Sequence, residues 1–509
     1  MKPVSLRICM VCTLLMSAVS AAQFIPLGDL PGADFSSAAN DVSNDGTVVV
    51  GSSSSNVSVE NEAEAFRWTP DTGMVGLGGF PGGAIRSSAR AVSSDGRIVV
   101  GYVLRVGALE AVRWTAETGM TGLGDLSDAG TDSYANGISA DGNVVVGKGS
   151  NADRFSEGFR WTSDAGMVGI GDFAGGEFFS SAEGVSADGK VVVGFGVNSS
   201  DNAEASRWTA ETGMTGLGDL PDGDFRSRAT AASADGSVIV GWGSSALGRE
   251  AFRWTNADGM VGLGDLSGGT FSSDAIAVSS DGQKVVGESR TDLGNEFFIW
   301  TQTNGMQRLQ DILVANGTSG LEGWSLLRAG GISDNGQWVV GAGTNPSGLR
   351  EAFLVRLPDN LSLEFQINAG LSDAWYYPET DGQGFFITVF PDLGAVSLAW
   401  FTYDTELPLM DATANLGDPG HRWLTAVGPI DGNEVTMDIE LTAGGLFDTS
   451  TGIERTDPPG SDGTLILTFD SCSSGTIEYD IPSINRQGIV PIQRVANDNI
   501  ALCEVLSAQ

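Results

Sequence analysis

SSARAVSSDGRIVVG (Ser87–Gly101) leads through a loop into EAVRWTAETGM (Glu110–Met120) and then TGLGDL (Thr121–Leu126). The same text recurs with small changes until about Leu357. The Asp of its Ser-Xaa-Asp-Gly element falls at Asp45, Asp95, Asp141, Asp188, Asp235 and Asp281, and Asn335 stands there in a seventh copy. The steps are 50, 46, 47, 47, 46 and 54 residues. A second marker opens at Glu64, Glu110, Glu157, Glu204, Glu250, Glu296 and Glu351. Four residues on stand Trp68, Trp114, Trp161, Trp208, Trp254 and Trp300, with Val355 in the last copy. A third marker places Gly-Met at Met74, Met120, Met167, Met214, Met260 and Met306.

Each repeat reads as four short strands. The second, RIVVGYV, is a continuous apolar run, the pattern of a strand covered on both faces. Asp-Gly before it and Thr-Gly or Asp-Gly before Met are tight hairpin signals, since these residues tolerate positive φ. Four strands with their turns match the length of a propeller blade. The seventh copy ends at EAFLVRLP without a fourth strand, while a lone copy of that strand, FIPLGDL (Phe24–Leu30), precedes the first. One surplus and one deficit predict a ring in which Phe24–Leu30 completes the last blade, leaving no free sheet edge. The expected fold is therefore all-β, a seven-bladed β-propeller over residues 23–357 closed by its N-terminal strand.

Met1 to about Ala22 has a basic start (Lys2, Arg7), an apolar run from Ile8 to Val19 and small residues before Gln23, which reads as an export signal. No later run has the roughly 18 apolar residues that span a bilayer. A secreted, extracellular chain is expected, with the periplasm as the alternative. Cys472 and Cys503 remain after signal removal, and in an oxidising compartment they predict a disulfide. Its 31-residue separation corresponds to about 3.5–4 kcal/mol of chain entropy; two buried thiols are the alternative. A net charge of −37 repels phosphate backbones and anionic lipid, arguing against nucleic-acid and membrane-surface roles.

After Pro358 the repeat gives way to segments such as GQGFFITVF, AVSLAWFTYD, NEVTMDIELTA and GTLILTFD, alternating apolar and polar residues between turns. They predict an antiparallel meander of about eight strands over residues 358–509, a small barrel or sandwich, whose last strands the disulfide ties together. Helix signal is nearly absent from the chain.

The third strand, with Glu64-Ala65-Phe66, Glu250-Ala251-Phe252 and Glu351-Ala352-Phe353 ahead of the Gly-Met and Asp-Gly markers, resembles the HAF family of extracellular repeats, named for a His-Ala-Phe tripeptide. The resemblance covers about Gln23–Leu357. Glu replaces His in all seven copies, removing any imidazole role, and the family implies secretion rather than an activity. GLSDAWYYPETDGQGF with AWFTYD looks like an uncharacterised domain appended to secreted bacterial proteins.

Groups repeated in every blade point to architecture rather than catalysis. Glu110 and Arg113, three apart on a strand, face opposite ways; Arg67, Arg113, Arg160, Arg207 and Arg253 are expected to meet acids of the next blade. The Trp series is expected between blades. Ser-Xaa-Asp-Gly is read as a turn, since it lacks the spacing of a sialidase-type Asp-box. His421 is the single histidine, in a Gly-Asp-Pro-Gly-His turn, so a Ser-His-Asp triad within the propeller is impossible. Asp219, Asp222 and Asp224 lack the spacing of a known Ca²⁺ loop; Ca²⁺ is kept only as an alternative, and no other cofactor or metal is expected.

Asymmetry lies in the loops from strand two to three and from strand four to the next blade, which open on one face. That face carries Arg86, Tyr134, Arg154, Phe178, Arg226, Arg228, Trp242, Arg249 and Trp324, a basic and aromatic collection suited to glycans or acidic groups; ordinary loop variation is the competing reading. The function expected is a secreted, monomeric, non-enzymatic module that binds a glycan or surface protein. A hydrolase or lyase with paired carboxylates on that face, or a purely structural envelope component, are the alternatives.

Overall fold

The computed structural model describes residues 22–32, 34–56, 63–80, 85–105, 107–127, 132–358, 361, 367–380, 383–403, 421–443, 454–455, 462–496, 499–500 and 502–503. The expected export signal lies outside them. The chain divides into two compact units, 1–362 and 363–509. No helix among the described residues is long and apolar enough to cross a membrane.

The first unit is a seven-bladed propeller. Blade 3 is typical: Ser133–Ile138, Val144–Ser150, Ser156–Thr162 and Gly166–Gly169 pair in sequence order as one antiparallel sheet. The Asp-Gly turns form as the sequence predicts. In the first, Ser43 Oγ donates to Asp45 Oδ1 (2.8 Å), the Thr47 and Val48 amides donate to Asp45 and Ser43, and Gly46 sits at φ 74°. A side chain on Gly46 would also strike Trp338. These carboxylates are committed to the turn: Asp188 is lowered to about 2, first by the Ser186 hydroxyl and then by Lys190.

Two devices join the blades. Next to the axis, the turn amides bond from blade to blade: Asn44 N to Ser94 O, Ser94 to Ala140, Ala140 to Ala187, Ala187 to Ala234, Ala234 to Ser280 and Ser280 to Asp334. Further out, the first Ser of blades 1 to 6 bridges two strands of the preceding blade. Ser133 Oγ accepts from Ala111 N (2.9 Å) and donates to Gly124 O (3.1 Å). The Trp series packs between blades as expected; Trp161, for example, packs against a cluster that joins Val100 of blade 2 to Val145 of blade 3.

Both devices continue across the seam. Gln23–Pro26 pairs antiparallel with Arg350–Arg356, Phe24 opposite Val355. Leu27 N donates to Ala352 O (2.9 Å), as Leu77 does to Ala65 and Leu123 to Ala111. Ser37 Oγ accepts from Ala352 N (2.9 Å) and donates to Gly28 O (2.6 Å). The recurring Glu behaves alike: Glu64 accepts from Gly78 N, Glu157 from Gly171 N, and Glu351 from Gly28 N (3.0 Å), 323 residues away. At the axis the ring closes through Asn335, whose Nδ2 donates to Asn44 O (2.7 Å) while its amide donates to Asn44 Oδ1 (2.9 Å). Aspartate has no such donor, which accounts for the one departure from the Asp series.

Two expectations need correction. Arg67, Arg160 and Arg253 do reach the next blade, but they donate to the turn carbonyls of Gly96, Gly189 and Gly282 rather than to acids. A helix, Leu309–Ala315, is present between blades 6 and 7, where the 54-residue step had room for it. Its Leu309, Ile312 and Leu313 are fully buried, the spacing of one helical face. Gln310 ties it to the chain on both sides of Ser325, through Trp324 O and Leu326 N.

The second unit is a barrel, which decides between the two architectures expected. Eight strands from Asp373–Tyr376 to Arg486–Arg494 run as a meander, closed by the pairing of Trp375 with Arg494. Along Gly384–Phe390, Phe385, Ile387 and Val389 point inward and Phe386, Thr388 and Phe390 outward. The Cys472–Cys503 disulfide is present, but it joins a hairpin turn to the chain beyond the last strand rather than two strands. The buried Arg494 lies beneath it, donating to Asp373, Gly370 O and Cys472 O. His421 opens the strand His421–Asp431.

If the seam is one blade junction among seven, replacing its bridging hydroxyl costs what it costs elsewhere. Ser37→Ala and Ser133→Ala each leave a buried amide unpaired, and each should lower propeller stability in denaturant unfolding by about 1–3 kcal/mol. A neutral Ser37→Ala beside a costly Ser133→Ala contradicts closure.

Candidate functional site

Every first strand carries a one-residue bulge, between Ala39 and Asp41, Ala89 and Ala91, Ala135 and Gly137, Ala182 and Gly184, Ala229 and Ala231, Ala275 and Ala277, and Ala329 and Gly331. The opposing strand explains the recurrence. Its glycine, for example Gly101 or Gly147, lies so close to a carbonyl of the first strand that a Cβ would overlap it. A bulge re-aims the residue it contains. The bulged residues Asn40, Arg90, Asn136, Glu183, Thr230 and Gly330, with Ile276, line one cavity of about 440 Å³ on the axis. Below it the channel narrows to about 100 Å³ between Val42, Ile138, Val185, Ala232, Asp41 and Asp334.

The cavity is polar and uneven. Asn40 Nδ2 donates to Ala89 O (2.7 Å), and Arg328 Nη2 to Asn40 Oδ1 (3.4 Å). Glu183 accepts from Ser181 Oγ (2.6 Å) and Asn136 Nδ2 (3.3 Å). Asp41 replaces the Ala or Gly of the other blades, and its two oxygens accept from the Val42 and Val92 amides (2.8 Å each). Burial pushes its carboxyl up to about 7, with a smaller contribution from Asp334. Burial also raises Glu288, although Arg328 opposes the shift. Arg328 is lowered by burial and then by Arg350.

Two further positions per blade lie on the same two strands, where Arg328 and Glu288 line the cavity as well. One is two residues before the bulge (Tyr134, Arg228 and Arg328 among them). The other follows the close-packed glycine: Tyr102, Lys148, Phe195, Trp242 and Glu288. Register places them side by side, Tyr134 opposite Lys148 and Arg228 opposite Trp242. In blades 2 and 3, Tyr102 and Tyr134 meet edge to face at 5.2 Å, with Arg90 at 5.4 Å from the first ring and Lys148 at 5.2 Å from the second. In blades 4 and 5, Arg228 lies between Phe195 (4.0 Å) and Trp242 (5.7 Å), and Arg226 and Arg249 approach Trp242 at 5.5 and 3.7 Å. Arg249 also pairs with Asp274. Burial lowers Arg228, and Arg226 adds to the effect.

Arg226, Arg228, Trp242 and Arg249 are therefore together, and Tyr134 belongs to the second group. Arg86 joins that group electrostatically, acting on Tyr134. Trp242 is 7% exposed, a base under the arginines rather than an open surface. Arg154 and Phe178 stand apart, Arg154 in a turn at φ 67° and Phe178 6.1 Å from Phe155. Trp324 does not belong to the face: it is 5% exposed and packs on Phe24 at 4.9 Å, within the seam core. The loop-based reading missed Arg90, Tyr102, Lys148, Phe195, Glu183, Glu288 and Arg328, which lie within strands. Asp219 is occupied by the Leu220, Ser244 and Arg226 amides, and no metal-sized group of three His, Cys, Asp or Glu occurs among the described residues.

No family model matches the chain, and no curated protein matches it. Among solved structures it is similar to TolB from Acinetobacter baumannii at 14% identity, covering 51% of this chain and 62% of that one, with a TM-score of 0.36. An oligogalacturonate lyase from Vibrio parahaemolyticus aligns at 10% identity over 67% of this chain and 99% of its own, TM-score 0.42. The propeller domain of the Trilobed protease from Pyrococcus furiosus aligns at 12% over 67% and 98%, TM-score 0.38. These likenesses concern propeller architecture alone.

Asp41 generates a pH signature. With a folded value near 7 above its unfolded value, the group is protonated in the fold and ionised in the open chain between those limits. Its contribution to stability is thus present at low pH and falls as pH rises from about 4 to 7, by at most about 4 kcal/mol. Unfolding titrations should show a shallower fall across that window in Asp41→Asn than in the parent chain; equal slopes would contradict the assignment.

Proposed function

We propose that this chain is an exported, non-enzymatic binding module whose propeller takes up a ligand bearing anionic groups, an acidic glycan or an acidic surface protein, at the axial mouth. In this reading the HAF-like repeats supply a constant frame, and the strand positions that vary within it supply recognition. One observation carries it. In a chain with 27 Lys and Arg against 64 Asp and Glu, Arg90 of the axial cavity and three cations of the neighbouring blades lie against aromatic rings. Arg90, Lys148, Arg226 and Arg228 have rings as close partners, and no salt bridge engages them among the described residues. Guanidinium stacked on an aromatic ring keeps its in-plane N–H groups for an anion.

A hydrolase or lyase is the second reading, favoured by Asp41, whose carboxyl lies near 7 in the same cavity as Glu183. Calorimetric titration against acidic glycans, acidic peptides and neutral oligosaccharides separates the two. Saturable binding of an acidic ligand that weakens with salt, and weakens about tenfold or more in Arg90→Ala/Arg228→Ala, is the expected result without turnover. Turnover abolished by Asp41→Asn or Glu183→Gln would establish the enzyme instead. Equal binding by the double variant would place the ligand elsewhere.

A further inference from the structure

We infer that the axial cavity binds a small zwitterion, its anionic end between Arg90 and Arg328 and its ammonium end facing Glu183 and Glu288 across the axis. The inference rests on the anion-binding reading of the mouth and adds a second, opposite charge to the ligand.

The two signs fall on different halves of the ring. Arg328 of blade 7 and Arg90 of blade 2 stand on either side of Asn40 of blade 1. Glu183 of blade 4 and Glu288 of blade 6 stand on either side of Thr230 of blade 5. The arginines are near enough to act on each other: Arg328 is lowered by burial, then by Arg350 and Arg90, with Glu288 opposing. Their neutral partners are known. Arg328 reaches Asn40 (3.4 Å), Glu183 accepts from Ser181 and Asn136, and Glu288 accepts from Asn295 (3.2 Å). No salt bridge joins Arg90 or Arg328 to an acid among the described residues. Arg228, on which Glu183 acts electrostatically, does not line the cavity. Asp41 also borders the narrow channel, and both its oxygens are taken by backbone amides.

The ligand's charges follow from that division. An anion alone pairs with the arginines and leaves the acids without a partner; a cation alone does the reverse. A zwitterion brings a partner to each half, so that no half-buried charge is left uncompensated. No aromatic residue lines the cavity, so a quaternary ammonium finds no ring cage. An ammonium with N–H groups finds acceptors in the two carboxylates and the Thr230 hydroxyl. Guanidinium forks pair with carboxylate and phosphate alike, which leaves the anionic head open between planar and tetrahedral groups. A volume of about 440 Å³ lies within the range of small-molecule sites, roughly 300–1,000 Å³, and suits an amino acid or dipeptide rather than a polymer.

Calorimetric titration of the full chain with diglycine and with ω-amino acids from glycine to 6-aminohexanoate finds the charge separation the cavity accepts. The best of these is then compared with its N-acetyl and amide derivatives, each lacking one charge. Each derivative should bind about tenfold or more weakly. Glu183→Gln, nearly isosteric, should bring the amino acid and its N-acetyl form to within about twofold of each other, and Arg90→Gln should do the same for the amino acid and its amide. Taurine and phosphoethanolamine, compared with the carboxylates, identify the anionic head, and tighter binding of either still upholds the zwitterion. An N-acetyl form or an amide that binds as tightly as the amino acid overturns the inference, as does discrimination that both variants leave unchanged. Binding of acidic glycans or peptides without binding of any zwitterion overturns the zwitterion alone. Absence of binding by every one of these probes overturns the anion-binding mouth as well.

Discussion

One junction makes this propeller a ring: the antiparallel pairing of Gln23–Pro26 with Arg350–Arg356. Joining the ends of a chain segment more than 300 residues long costs entropy that no local contact repays. The seam meets that cost by reproducing each feature of an ordinary blade junction. Leu27, Gly28 and Ser37 occupy the places of Leu77, Gly78 and Ser87, with the same partners. Leu27 and Leu30 join Val49, Phe66, Val340 and Leu354 in one buried cluster. Only the innermost link differs, where Asn335 uses a side-chain amide in place of the backbone bond that joins the other turns.

A closed ring has a consequence for binding. Seven bulges brought round a common axis point six side chains and one glycine into one cavity, and a bulge costs little when a glycine opposite has no Cβ. The frame can then hold its shape while residues at the bulge, two positions before it, and after the glycine change freely. Aromatic rings in blades 2 to 5 brace Arg90, Lys148, Arg226 and Arg228, which no salt bridge engages among the described residues. Asp41, alone among small residues at its level, is a group whose ionisation burial in the frame opposes. Stability and recognition thus share residues only at the cavity wall.

The propeller was legible because its repeats carry turn chemistry and a surplus strand, both of which are local statements about φ, hydrogen bonding and edge pairing. The barrel was legible as strands but not as a closed sheet, since alternation along Gly384–Phe390 fixes faces without fixing which strands meet last. The helix Leu309–Ala315 was missed although Leu309, Ile312 and Leu313 have helical spacing, because seven residues make a weak periodic signal. Site residues were half legible. Looking at loops found Arg226, Arg228, Trp242 and Arg249 but also Trp324, which an apolar neighbourhood buries. Looking instead for the variable residue inside a constant strand, as in the Ala-Xaa-small sequence around Arg90, Asn136 and Glu183, would have found the cavity. Repeated Glu and Arg were rightly read as structural, but the partner of Arg67 or Arg160 is a carbonyl that no side-chain pattern records.

Amide hydrogen exchange measures the seam without altering it. The account predicts that the Leu27 amide, bonded to Ala352 O, exchanges with the same protection as its counterparts Leu77, Leu123, Leu217 and Leu263. Exchange of Leu27 at the rate of a frayed terminus, with those four still protected, would mean that the ring is open and that the cavity on its axis is not held in the shape described.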